Sequence, residues 1–280
     1  MARIMKWLLM LAIGLQLTAC SMVRLGYSQL PELSHWWLDS YLDLDAAQST
    51  ALKTDLAALH TWHRQQELGG LAQTLTQLAN AAGQDTTTQA LCQTTDEVRQ
   101  RVDVLAAQSV PMFTRLATTL TPVQLDHLQR QLTKRRQDWQ EEWREEDADT
   151  RRADRLIERA QQFYGRLEPG QKALVRAGVA ADPIDTQQMI DDIRERHQDI
   201  EQTLRKLAAG NLTDTDASSE VRALLDRLMR PTNAQRSAQR QQAQCQLFAD
   251  LHNSASITQR QRLAASLKAY AADAQAMRVS

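Results

Sequence analysis

A short signal for the start of a helix recurs four times along the chain. Each copy is an aliphatic residue, a capping or acidic residue, two further positions and then Gln. In such a capping box the capping side chain accepts a hydrogen bond from the amide three residues on, and the Gln side chain accepts one from the backbone amide of the capping residue. The copies are unequally spaced, which excludes a solenoid array. The sequence therefore predicts helix starts at Asp45/Gln48, Thr121/Gln124, Glu168/Gln171 and Thr258/Gln261.

The composition favours a helical architecture. Only 9 Gly and 6 Pro occur among 280 residues, and the apolar residues between the predicted helix starts recur every three or four positions. This pattern is typical of amphipathic helices and disfavours β-sandwiches, β-barrels and glycine-rich nucleotide folds. We therefore predict an all-α multi-helix bundle, with Pro111 marking the end of one helix. The formal net charge of −1 gives no electrostatic footprint for nucleic acid.

One predicted helix is unusually long and densely charged. It covers about residues 122–164, and 17 of the 26 residues from Lys134 to Arg159 carry a charge. Because so many charges cannot be buried on any side of a helix, we expect this part to project from the bundle into solvent. It is either a solvated face or an arm that docks a partner, and Trp139 and Trp143 are candidate partner-binding residues.

The first nineteen residues have the features of a lipoprotein signal peptide. Arg3 and Lys6 precede an apolar segment, 7–17, which is too short to cross about 30 Å of hydrocarbon as a helix. The segment runs into Leu-Thr-Ala-Cys, which resembles a bacterial lipobox, where the Cys is acylated and the chain is cut before it. We therefore expect a mature chain that begins at a lipidated Cys20.

Lipidation would hold the mature chain to a membrane. At least two acyl chains, such as palmitate, are needed for stable attachment. The residue after the lipidated Cys is Ser21, and not the Asp that commonly retains lipoproteins at the inner membrane, so we expect the periplasmic face of the outer membrane. The mature chain, 20–280, is predicted to be one helical domain with a possible sub-boundary near 181–184.

Two further cysteines, Cys92 and Cys245, remain after lipidation. An even number of cysteines in an oxidising compartment favours a disulfide. The alternative is two separate buried thiols that act as small apolar side chains.

A pair of adjacent tryptophans, Trp36 and Trp37, follows closely behind the expected lipid anchor. Neighbouring residues on a helix point in different directions, so we expect one indole to pack in the core and the other to lie near the surface. Two alternatives remain open: both indoles are core residues, or one belongs to an apolar groove or contacts lipid headgroups. The pair is therefore a second candidate for partner binding.

The sequence contains no catalytic signature. His60, His63 and Glu67 could share one helical face, but their spacing is not that of zinc proteases, and two partly exposed histidines explain it as well. The sequence has no phosphate loop, nucleophile elbow or Cys-x-x-Cys pair. We expect no enzymatic activity, no cofactor, no metal and no small-molecule substrate.

Several groups of residues behind the lipobox carry a family resemblance: Cys20-Ser21, Arg24-Leu25, Tyr27, Leu30-Pro31, 36–39, 41–48 and Trp62-His63. They resemble an uncharacterised family of Gram-negative lipoproteins that is known only as a domain of unknown function. The resemblance extends to about Val179 and is weaker beyond Pro183. It implies a lipid anchor and this helical fold, and it implies no particular activity.

The segment Leu120-Thr121-x-x-Gln124 is also similar to the Leu-Thr-x-x-Gln motif of the Spy/CpxP class of periplasmic helical proteins. Proteins of that class act as ATP-independent chaperones or envelope-stress regulators. This chain departs from them because it is longer, lipidated, not basic and not rich in Met. We expect a non-enzymatic envelope protein that binds other proteins, with a chaperone-like role. The alternative is a structural or assembly factor that links the outer membrane to another envelope structure.

Overall fold

The computed structural model describes residues 22–143, 148–182 and 185–279. Over these residues the chain forms helices and no strands, which confirms the all-α prediction. The helices are α1 (22–28), α2 (Leu30–Leu42), α3 (Ala46–Gln66), α4 (Leu68–Ala81), α5 (Thr88–Thr118), α6 (Pro122–Trp143), α7 (Ala148–Tyr164), α8 (Pro169–Ala181), α9 (Thr186–Ala208), α10 (Asp214–Met229), α11 (Ala234–Asn253) and α12 (Ile257–Val279).

Three predicted helix starts lie where the sequence places them. The Asp45 carboxylate accepts hydrogen bonds from the first amides of α3, and Gln48 Oε1 accepts one from the Asp45 amide. Thr121/Gln124 and Glu168/Gln171 begin α6 and α8.

The fourth predicted start is wrong by two residues. The cap of α12 is Ser256, whose hydroxyl accepts from the Gln259 amide at 3.2 Å, so Thr258 and Gln261 lie inside the helix. The sequence pattern misleads here because Ile257, the aliphatic residue of the predicted motif, is itself the first helical residue and is 77% exposed.

The expected break at Pro111 is also wrong, because α5 continues through it to Thr118. A proline inside a helix removes one backbone hydrogen bond and crowds the preceding turn. On either side of it Val110, Met112 and Leu116 are buried in the core, and this packing holds the helix together across the proline.

Of the predicted long helix the structure describes α6 up to Trp143 and α7 from Ala148, and residues 144–147 lie outside the described residues. The expectation that no side of the charged stretch can be buried is wrong for α7. Ala153, Ile157 and Ala160 are buried there, at a helical spacing that leaves the opposite side for the charges.

The helices form two groups, which we call the N-terminal and C-terminal modules. The N-terminal module consists of α2, α3, α5, α6, α9 and α10, and its largest core cluster is Leu42, Leu52, Leu56, Met112, Leu116, Leu120, Leu125, Leu128 and Leu132. The C-terminal module consists of α7, α8, α11 and α12, with a core cluster of Ile157, Ala160, Leu167, Val175 and Leu251.

The chain crosses more than once between the modules. Helices α9 and α10 follow α8 in sequence but pack against α5 and α6. The possible sub-boundary near 181–184 therefore does not divide the described residues into two consecutive bodies. Helix α4 lies along α12, and a disulfide joins Cys92 of α5 to Cys245 of α11, with the two Cα atoms 5.6 Å apart.

No helix within the described ranges combines the length and the apolar character needed to span a bilayer.

Candidate functional site

The glutamines of the first two capping boxes meet inside the N-terminal module. Gln48 and Gln124 are both buried, and each side-chain oxygen accepts from the amide of its own capping residue. Gln124 Nε2 donates to Gln48 Oε1 at 2.6 Å and to the Asp43 carbonyl at 2.9 Å. Gln48 Nε2 donates to Gln124 Oε1 at 3.2 Å and to the Thr119 carbonyl at 2.9 Å. The pair therefore joins the α2–α3 turn to the α5–α6 turn.

The C-terminal module repeats this arrangement with Gln171 and Gln259. Each oxygen again accepts from its own capping residue, and the two amide groups donate to one another at 3.0 and 2.9 Å. The nitrogens also donate to the Ser254 and Arg166 carbonyls of the opposite turn, at 3.2 and 2.9 Å. The turns joined here are α7–α8 and α11–α12.

Glutamine suits this position because its amide offers an acceptor and a donor on one planar group. Glutamate could accept from the capping residue but could not donate to the opposite turn. The sequence motif therefore encodes a helix start and a joint between two hairpins, and only the first was predicted. The signal for the second is that the three correctly predicted copies all carry Gln at a position where Glu would cap as well. Because the amide donors and acceptors of these glutamines all bond to other groups of the protein, the pairs have a structural role.

The tryptophan pair lies on the surface of the N-terminal module. Trp36 is 68% exposed and Trp37 is 55% exposed, so the expectation that one of them packs in the core is wrong, as is the alternative that both do. Leu38 and Leu42 hold the core positions of α2 instead. Trp37 stacks obliquely on Tyr41, with the ring centroids 5.0 Å apart.

Both tryptophans border an open apolar groove of about 650 Å³. Helices α2, α3, α5 and α10 form its walls, and none of its lining side chains carries a charge: Leu33, Ser34, Trp36, Trp37, Leu38, Leu56, Leu59, Val102, Leu105, Ala106, Ser109, Met112, Phe113 and Leu225. A smaller cavity of about 170 Å³ shares Ser34, Leu56, Leu59 and Leu105 with the groove and continues it towards α1. The N-terminal module thus presents an extended apolar surface beside α2.

A cluster of two histidines and a tyrosine borders the smaller cavity. The Tyr27 hydroxyl lies 2.8 Å from His63 Nδ1, and the Tyr27 ring lies 4.6 Å from the ring of His60. Burial raises the pKa of Tyr27 to about 12, against an opposing effect of the Arg64 charge. Burial also lowers the pKa of both histidines, which keeps them neutral at neutral pH. The cluster docks α1 onto α3.

The sequence-predicted face of His60, His63 and Glu67 does not converge on one point. The Glu67 carboxylate pairs instead with Arg101 of α5 at 3.1 Å. A Cβ atom at position 70 would lie 2.5 Å from the Arg101 guanidinium, so a side chain there would displace Arg101 from this contact. Glu67 is therefore a link between helices, and among the described residues no three potential ligands are grouped to hold a metal ion.

The remaining predicted site residues are dispersed. Trp139 is half-buried near the end of α6, far along that helix from the Gln124 joint. Cys20 and the side chain of Trp143 lie outside the described residues.

The geometry thus defines a class of protein: an all-helical fold made of two modules, each closed by a buried glutamine pair, with an apolar groove on one of them. Residues 40–216 match a family of unknown function, DUF6279, and the chain belongs to that family. The match includes the first glutamine pair and the α3 and α5 walls of the groove, and it begins after Trp36 and Trp37. Neither curated proteins nor solved structures gave a match to this chain.

Proposed function

We propose that this chain is a lipid-anchored envelope protein that binds segments of other proteins in the apolar groove and catalyses no reaction. The observation that carries the proposal is the exposure of Trp36 and Trp37 beside an uncharged groove. Large exposed apolar surfaces on soluble domains usually mark interaction sites. The lipobox at Cys20 supports attachment to a membrane, and Ser21 supports the periplasmic face of the outer membrane.

The groove suits an amphipathic helix of a partner protein. Its walls are themselves helices, and the wall on α5 extends from Val102 to Phe113, which is about 17 Å or three helical turns. An amphipathic helix presents apolar anchors at intervals of three and four residues, which an apolar groove of this length accommodates. The absence of charge from the lining favours an apolar partner face over a charged one.

Site-specific photocrosslinking in living cells tests the groove. A photoreactive amino acid at Val102, which is half-exposed in the groove, should crosslink to a helical segment of another envelope protein. The matched control is Val123, which is 73% exposed on α6 and does not line the groove. Equal crosslinking from both positions, or none from Val102, would contradict the proposal.

The identity and number of crosslinked proteins separate the two roles. Many unrelated proteins, together with suppression of client aggregation that Val102→Asp abolishes and Val123→Asp preserves, support a chaperone-like role. One stoichiometric partner, with crosslinks also from Glu141 or Arg152 near the charged ends of α6 and α7, supports a structural or assembly factor instead.

A further inference from the structure

Helices α1 and α2 present an apolar stripe to solvent. Their backbone is nearly continuous across Gln29, which keeps a helical conformation. Taking 3.6 residues per turn, the large apolar side chains of the outward face fall within roughly 140° of the circumference. The face contains no charged residue, and its exposed large apolar residues are Met22, Leu25, Leu30, Leu33, Trp36 and Trp37, which we call the stripe.

The opposite face of the same helices is fixed to the body of the protein. Arg24 Nε donates to the carboxylate of Asp273, which is almost fully buried in α12, at 2.7 Å. Tyr27 contacts His63 of α3, and Leu42 belongs to the core. Because these contacts fix the rotation of α1 and α2, the stripe cannot turn inward without breaking them. Its exposure is therefore a property of the folded protein.

The stripe begins next to the expected lipid attachment site. In the sequence only Ser21 separates Cys20 from Met22, so the first stripe residue is at most about 7 Å of chain from the acylated cysteine. Acyl chains in the bilayer would hold the stripe at the lipid surface. Helices with one apolar face bury that face in the headgroup region, and Trp favours that depth.

We propose that the stripe lies in the membrane interface, with α1 and α2 parallel to the lipid surface. This contact goes beyond attachment through the acyl chains, and it rests on the proposed lipidation of Cys20. It also orients the groove, because Leu33, Trp36 and Trp37 belong to both surfaces. The groove then opens at the level of the lipid headgroups, where it meets partner segments that lie on the membrane.

Fluorescence quenching on the lipidated mature protein, residues 20–280, tests the contact. Phe replaces Trp37, Trp62, Trp139 and Trp143, so that Trp36 is the reporter in the mature chain. The protein is reconstituted into vesicles of phosphatidylethanolamine and phosphatidylglycerol whose acyl chains carry bromine. We expect the bromine to quench at least half of the Trp36 fluorescence.

The control reporter is Ile257→Trp in a chain that also carries Trp36→Phe. Ile257 is as exposed as Trp36 but lies 16 residues from Asp273 along α12, which is about 24 Å from the point where α1 docks. Its fluorescence should be unaffected. Vesicle flotation of the same samples reports whether the protein is bound to the vesicles through any contact. Protein that floats while Trp36 stays unquenched overturns the membrane contact and leaves the anchor standing. Protein that does not float overturns both.

A second measurement removes the acyl anchor from the protein. Chains with Cys20→Ser should still bind the same vesicles, and Met22→Ser with Leu25→Ser should weaken that binding at least tenfold. Ile257→Ser is the matched control and should change it less than twofold. A Cys20→Ser chain that dimerises in solution, and that becomes monomeric when Met22 and Leu25 are replaced, would show that a second copy covers the stripe and would overturn the proposal.

Discussion

The two modules share an interior joint and differ in what they leave exposed. In each, two helix hairpins meet at a buried glutamine pair with the same set of hydrogen bonds. In the N-terminal module the helices around that joint leave an open apolar groove bordered by Trp36 and Trp37. On the C-terminal module the exposed large apolar residues are Phe248, Ile257 and Tyr270, and none of them lines either described cavity. The joint therefore belongs to the architecture, and the groove is what distinguishes one module.

The largest expected loss of stability comes from removing the disulfide that joins the two modules. Replacing Cys92 and Cys245 with Ala removes a bridge between residues 153 positions apart. In the chain-entropy model this lowers the free energy of unfolding by about 4–5 kcal/mol. Denaturant unfolding followed by tryptophan fluorescence and by circular dichroism measures the loss. Because the tryptophans of the described helices all belong to α2, α3 and α6 of the N-terminal module, we expect the two signals to separate in the variant and to coincide in the parent.

Coincident transitions in the variant would mean that contacts other than the disulfide couple the modules. The extensive packing of α4 along α12 is the first candidate for that coupling. Reduction of the parent protein should reproduce the variant, which controls for the effect of the Ala side chains themselves.

Breaking a glutamine pair should have the next largest effect. Gln124→Ala removes the side chain that satisfies its own capping residue, the Asp43 carbonyl and Gln48. We expect a loss of about 2–4 kcal/mol, because buried polar groups are left without partners. If the two joints are equivalent, Gln171→Ala in the other module should cost the same within about 1 kcal/mol.

The matched pair Gln259→Ala and Gln261→Ala tests which glutamine of α12 belongs to the joint of the C-terminal module. Gln259 is buried in the pair, whereas Gln261 is exposed two residues further along α12. Gln259→Ala should lower the midpoint of denaturation as Gln171→Ala does, and Gln261→Ala should leave it nearly unchanged. The reverse result would support the helix start at Thr258 and Gln261 that the sequence predicts.

Sequence patterns predict this fold well where local chemistry decides it. The caps at Asp45, Thr121 and Glu168 follow from residue type and spacing alone. The pairing of Gln48 with Gln124 does not, because it depends on two turns 76 residues apart meeting in space. Helix α5 continues through its proline for the same reason, since distant packing outweighs a local penalty.

The candidate site was predicted only in part. Helical periodicity selects Trp36 and Trp37 as notable residues but cannot say which helix covers each side of α2. That choice is made by Leu38 and Leu42, which fill the core, and by Arg24, which fixes the rotation of the preceding turn. The exposure of both tryptophans follows from those contacts.

Acid should weaken the N-terminal module in particular. Burial lowers the pKa of His60, His63 and His197 below 6.5, and all three belong to α3 or α9. Below pH 6.5 the unfolded chain binds more protons at these residues than the folded chain does. The contribution of these neutral histidines to the free energy of unfolding is therefore fully present above pH 6.5. It is lost as the pH falls towards the folded-state pKa values.

Denaturant unfolding at pH 7.5 and at pH 5 measures this loss of stability. We expect it to be smaller than the loss caused by Gln124→Ala or Gln171→Ala. The substitutions His60→Gln, His63→Gln and His197→Gln remove the titrating groups. The triple variant should therefore lose less stability between the two pH values than the parent. An unchanged pH dependence would assign it to other groups.

The smallest expected effect on stability is at the groove itself. Trp36→Ser and Trp37→Ser should each change the free energy of unfolding by less than about 0.5 kcal/mol, because exposed side chains contribute little to the folded state. The same substitutions should abolish crosslinking from Val102, since they remove one border of the groove. Leu251→Ser, at a fully buried position of the C-terminal module, should lower the free energy of unfolding by several kcal/mol and leave crosslinking from Val102 in place. Large losses of stability from the tryptophan variants would mean that the groove is part of the core. The two modules would then differ in how their cores pack, and not in what they leave exposed.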